Sequence, residues 1–148
     1  MKKMILGLAA LLLTSTALWA KDVKVNQDVL NAFKKAYSDV NQVRWEKSGE
    51  LYLASFVDQN NQQRVSYFNE AGEMVSATRT IPFEQLPIRV SEEINSRFQK
   101  PDIDRTAMEV AMANETFYLA NVRDAKRTYV IKAYDSGEIS IIRKEKIR

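Results

Sequence analysis

Leu51-Tyr52-Leu53-Ala54-Ser55 and Phe117-Tyr118-Leu119-Ala120-Asn121 are nearly the same five residues, 66 positions apart. Each carries Tyr-Leu-Ala inside a run of strand-forming residues, and each reads as a β-strand. Downstream, Asn69-Glu70-Ala71-Gly72-Glu73 is matched by Tyr134-Asp135-Ser136-Gly137-Glu138, an acid-small-Gly-Glu turn in both places. Upstream, Phe33 is matched by Phe98. The chain therefore reads as one unit written twice, with repeat one over about 26–80 and repeat two over about 82–147.

Each unit opens with a helix. Asn26 can cap the first through its side-chain oxygen, and Asp28 suits the first turn. Val29, Leu30, Phe33, Ala36 and Tyr37 then fall on one apolar stripe. The second helix follows Leu86-Pro87, with Pro87 near a first-turn position where its missing N–H costs little. Val90, Ile94 and Phe98 recur every fourth residue, and Lys100-Pro101-Asp102 stops the helix.

Four extended runs follow each helix. In the first unit they are 41–46, 51–58, 63–69 and 73–80, before Ile81-Pro82 breaks the pattern. In the second they are 105–112, 115–123, 127–134 and 138–145. Tight turns join them, so neighbours must be antiparallel. The expected class is α+β, with two tandem helix-plus-four-stranded antiparallel meanders. They can share one core or form one continuous curved sheet.

The first twenty residues read as a signal peptide: Lys2-Lys3, an apolar run from Met4 to Leu13, then small and mildly polar residues to Ala20. Cleavage after Ala20 is the first choice and after Ala17 the second. The run is short of the roughly 20 residues that span a bilayer. The expected domain is 21–148, periplasmic or secreted, with no membrane association once the leader is gone.

Composition excludes much chemistry. The chain has no cysteine and no histidine. Disulfides, thiol nucleophiles, Ser-His-Asp machinery and imidazole or thiolate metal sites are ruled out. Without the leader, 20 basic residues face 19 acidic ones, a net charge of +1. They alternate along the chain with no basic block, which argues against a nucleic-acid partner. No cofactor is expected. Asp58 with Asn60 and Asn61, and Asp102 with Asp104, lack the spacing of a calcium loop and read as turns, so no metal site is expected.

One constellation resembles a known family. Phe33-x-x-x-Tyr37, Val43-Arg44-Trp45-Glu46, Tyr52-x-Ala54-x-Phe56, Phe68-Asn69-x-x-Gly72 and Leu86-Pro87, in that order, are similar to the secreted PepSY-like proteins. These are also called β-lactamase-inhibitor-like and are common in gut Bacteroidetes. The resemblance spans 26–145 and implies two α-plus-four-strand repeats in a periplasmic or secreted protein. The 68–72 turn departs from the family's frequent Asp-x-Asp-Gly by carrying Asn and Ala. The family has no catalytic residues to transfer, and a shared fold does not confer inhibition.

The residues allow two kinds of candidate site. Trp45 alternates in phase with Val43 and reads as core, the other reading being an exposed partner anchor. Leu51, Leu53, Phe117 and Leu119 lie on the strand phase opposite Tyr52 and Tyr118, where a water-facing sheet normally carries polar side chains. They form either an outward patch that binds a protein or peptide, or a buried seam between repeats. For catalysis only a carboxylate pair survives, drawn from Glu46, Glu70, Glu109 and Asp135, and no spacing selects one. The expected function is a non-catalytic binding module presenting a sheet surface to a protein or peptide, with inhibition of that partner as one form. A carboxylate hydrolase and a structural envelope protein are the alternatives.

Overall fold

The computed structural model describes residues 23–40, 42–98 and 102–147. The leader and the Lys100-Pro101 helix stop lie outside the described residues. In chain order the elements are α1 (Gln27–Ala36), β1 (Val43–Ser48), β2 (Leu51–Val57), β3 (Gln63–Phe68), β4 (Met74–Pro82), a 3-10 turn (Phe83–Gln85) and α2 (Ile88–Arg97). Then come β5 (Asp102–Ile103), β6 (Thr106–Met112), β7 (Thr116–Arg123), β8 (Arg127–Ala133) and β9 (Ile139–Lys146). All the strands join one antiparallel sheet, in the order β1-β2-β3-β4-β6-β7-β8-β9, with β5 paired to β7.

Both helices start as their sequences dictate. The Asn26 side-chain oxygen accepts from the Val29 N–H at 2.9 Å, and its amide donates to the Glu70 carbonyl at 2.8 Å. The buried residues of α1 are Val29 and Phe33, with Ala32 and Tyr37 half-buried beside them. Ala36, placed on the apolar stripe by spacing, is exposed instead. Val90, Ile94 and Phe98 are all buried, and Pro87 occupies the N-cap of α2.

Each helix seals its own half of one sheet face. Under α1 lie Tyr52, Ala54, Phe56 and Phe68, with Val43 and Trp45 at the margin. Under α2 lie Tyr118, Ala120, Val122, Tyr129, Ile131 and Ala133. Trp45 meets Phe33 edge-on at 5.3 Å, so it packs with the core, but it is only half-buried because β1 is an edge strand.

The break expected at Ile81-Pro82 does not occur. β4 runs through both residues, pairing Ile81 with Ala107 and Pro82 with Thr106. Ile81 is buried against the α2 core, and Pro82 sits at the strand's last position, where a missing donor is tolerated. β4 is therefore long enough to pair with β6 over seven residues. That ladder makes the two meanders one sheet. The two-residue β5 has no counterpart in the sequence reading.

The matched turns are alike in detail. The Asn69 N–H donates to the Glu73 carbonyl and the Gly72 N–H to the Asn69 carbonyl; Tyr134, Glu138 and Gly137 repeat the pattern. Gly72 and Gly137 both hold positive φ, at 79° and 90°. Each turn abuts the first turn of the helix in its own half, Gly72 at Asp28 and Gly137 at Arg89.

Candidate binding face

The helices leave the other sheet face without a helical cover among the described residues. Alternation and register place three cross-strand rows there. The first runs Glu46, Leu53, Tyr67, Ser76 and Met112. The second runs Arg44, Ser55, Val65, Thr78, Val110 and Phe117. The third runs Thr80, Met108, Leu119 and Lys132.

The floor of this face is packed by its own neighbours. Val110, Phe117 and Leu119 form a buried cluster that Met108, Met112 and Tyr134 flank. Tyr67, Ser76 and Thr78 continue the buried strip toward β3. The hydroxyls are satisfied by backbone, Ser76 donating to the Ala111 carbonyl at 3.1 Å and Thr78 to the Val65 carbonyl at 3.4 Å. Burial, with the Glu46 carboxylate next in effect, pushes the Tyr67 phenol up to about 12.

The four residues singled out in the sequence share this face but do not form one patch. Leu51 and Leu53 are half-buried on β2. Phe117 and Leu119, at 1% and 5% exposure, are floor, not outward anchors. Three strands, β3, β4 and β6, separate the two pairs. The half-buried apolar rim is Leu51, Leu53, Val65, Met108 and Met112.

Lys132 was invisible in the sequence as a site residue. Its ammonium stands 3.9 Å from the Phe117 ring centre and 4.8 Å from that of Tyr134. Glu115 lies 3.8 Å away, and one of its carboxylate oxygens is buried with no hydrogen-bond partner. A cation is thus held against aromatic faces at the end of an apolar floor.

Three of the four carboxylates considered for catalysis are engaged separately. Glu46 pairs with Arg44, Glu70 with Lys47 and Glu109 with Arg79. Glu46 and Glu109 lie on opposite sheet faces. A shallow groove of about 440 Å³, lined by Gln63, Thr80, Pro82, Gln85 and Arg105 among others, holds no carboxylate. Among the described residues, no group of three or more acidic side chains could hold a metal ion.

No family model and no curated protein matches the chain. Solved structures do. A candidate periplasmic protein from Bacteroides eggerthii aligns with TM-score 0.72 at 19% identity, over 84% of this chain and 91% of its own. A DUF2874 family protein from Bacteroides uniformis gives 0.71 at 21% identity, over 83% and 90%. A BLIP-like protein from Bacteroides fragilis gives 0.68 at 17% identity, over 84% and 88%. The chain shares their α+β architecture over nearly their whole length. No helix of the described residues is long and apolar enough to cross a membrane.

Proposed function

We propose that this protein is an exported, non-catalytic binding module that presents the helix-free face of its sheet to a protein or peptide partner. The observation that carries the reading is the half-buried apolar rim of Leu51, Leu53, Val65, Met108 and Met112 around a buried floor. A sheet face turned to water normally carries polar side chains, and apolar side chains reaching the surface of such a face fit an interaction site. The periplasmic description of one structural neighbour and the BLIP-like description of another support an envelope location and a binding role. Export would use the leader over residues 1–20, and the two α-plus-four-strand units would be tandem repeats of PepSY-like type. Inhibition of the bound partner belongs to the proposal as one form of its action.

Affinity capture from a native envelope extract tests the reading, with the mature protein and its Leu53→Ser/Met112→Ser variant as parallel baits. A partner enriched by the first and lost by the second, with the variant still folded, supports it. Equal capture by both baits would overturn the assignment to this face.

A further inference from the structure

The sheet ends at β9, and nothing among the described residues pairs with its outer side. Ile147 donates its N–H to the Lys126 carbonyl at 3.1 Å, so the backbone groups of that opposed pair turn toward β8. Such groups alternate along an antiparallel strand. The register sets Lys146 against Arg127 and Lys144 against Tyr129. The N–H and C=O groups of Lys144 and Lys146 therefore turn outward, as an unused ladder. Ile141, Ile142 and Ile147, exposed by 44%, 39% and 46%, flank it.

The charge around this edge is one-sided. Within 124–127 and 143–146, the cations Lys126, Arg127, Arg143, Lys144 and Lys146 stand with two acids, Asp124 and Glu145. Glu145 is taken by Arg143 at 3.2 Å. Asp124 is taken by the N–H groups of Lys126 and Arg127 and by the Tyr129 hydroxyl. Among the described residues, Lys126, Arg127, Lys144 and Lys146 have no ion-pair partner within 4.0 Å. The other edge, β1, is balanced: Arg44 pairs with Glu46 and Lys47 with Glu70. A second copy brought against β9 would meet like charge, the device by which edge lysines prevent self-association. An acidic strand would meet complementary charge.

We infer that β9 is a strand-addition site for an acidic extended segment of a partner protein. The segment hydrogen-bonds along Lys144 and Lys146, sets its carboxylates among Lys126, Lys144 and Lys146, and lays apolar side chains against the exposed isoleucines. This surface is distinct from the helix-free face, and its test is separate.

The probe is a synthetic peptide alternating Glu with Val, titrated into the purified protein and followed by amide hydrogen exchange. Saturable binding that slows exchange at Lys144 and Lys146 and weakens with added salt is expected. Lys144→Pro removes an outward N–H without touching the β8 ladder and should lower affinity about tenfold or more. Lys144→Glu/Lys146→Glu should do the same, and it keeps the test readable if proline disturbs the strand. A peptide alternating Lys with Val should not bind. Failure of the acidic peptide to bind, or binding that neither variant weakens, overturns the inference. So does attachment to phosphatidylglycerol–phosphatidylcholine vesicles that the charge reversal abolishes and Lys144→Pro leaves intact, which assigns the patch to a lipid surface.

Discussion

Arg79 on β4 and Glu109 on β6 stand directly opposite each other, joined by two parallel hydrogen bonds of 2.7 and 2.8 Å. They lie on the helix-bearing face, in the strip between the α1 core and the α2 core. Two separate apolar cores thus meet across a charged clasp. Tyr118, beside Glu109 on β7, is pushed up to about 12, first by burial and then by Asp135. Removing one partner leaves a half-buried charge without its mate. Arg79→Ala or Glu109→Ala should each cost about 1–3 kcal/mol. The coupling in a double-mutant cycle should be about 0.5–2 kcal/mol, read from urea midpoints. Independent losses would show that the two side chains do not act as a coupled pair across the β4–β6 ladder.

The two turn glycines should differ in sensitivity. A Cβ at Gly72 would lie 2.8 Å from the Asp28 carbonyl oxygen, which is helix backbone and cannot retreat. At Gly137 the nearest atoms are the Arg89 Cβ at 3.3 Å and its carbonyl oxygen at 3.4 Å. Both substitutions carry the cost of positive φ, about 1–2 kcal/mol. Gly72→Ala should cost about 2–4 kcal/mol because the clash adds to it, and Gly137→Ala about 1–2 kcal/mol. Chemical denaturation of the two variants side by side checks the order.

Leu53 and Leu119 occupy the same sheet face with different burial. Leu119→Ala empties part of a packed floor and should cost about 2–4 kcal/mol. Leu53→Ala, half-exposed, should cost under about 1.5 kcal/mol. Thermal melts of both variants decide it, and equal costs would mean that the rim is as enclosed as the floor.

Trp45→Ala should cost about 1–3 kcal/mol, below the roughly 3–5 kcal/mol of a fully buried aromatic. Trp45 is half-buried on an edge strand but seated on Phe33. In a chain lacking residues 1–20 it is the sole tryptophan. Its emission should lie between buried and solvent-exposed wavelengths and shift red on unfolding.

Acid should destabilise the fold through two equivalent turns. Asp58 is held below the ordinary carboxylate value by the Gln62 N–H first and Arg64 next. Asp124 is held below it by the Tyr129 hydroxyl first and the Lys126 N–H next. A depressed folded pKa gives stability that is present above the unfolded value, about 4, and lost as pH falls through the folded one. Unfolding free energy should therefore decline from about pH 4 downward. Asp58→Asn/Asp124→Asn should flatten that decline while lowering stability at neutral pH, as measured by denaturation at a series of pH values.

Local signals in the sequence determined the elements. Asn26 as a cap, the four-residue spacing of Val90, Ile94 and Phe98, and the Gly72 and Gly137 turns each act within a few residues. Their meaning survives without knowledge of distant contacts. The Tyr52 and Tyr118 phases likewise fixed which side chains share a sheet face, because strand alternation is a backbone property. What lay beyond local reach was decided by the tertiary structure. Only the β4–β6 ladder, carried through Ile81 and Pro82, joins the halves into one sheet. Only that joining sets Arg79 against Glu109. The fates of Leu53 and Leu119 show the same division. Both are leucines on the same phase of matched strands, yet β7 lies third from the β9 edge and β2 next to the β1 edge. Strand position depends on pairing between residues far apart in the chain, so burial on this face was settled by topology and not by the residues' own character.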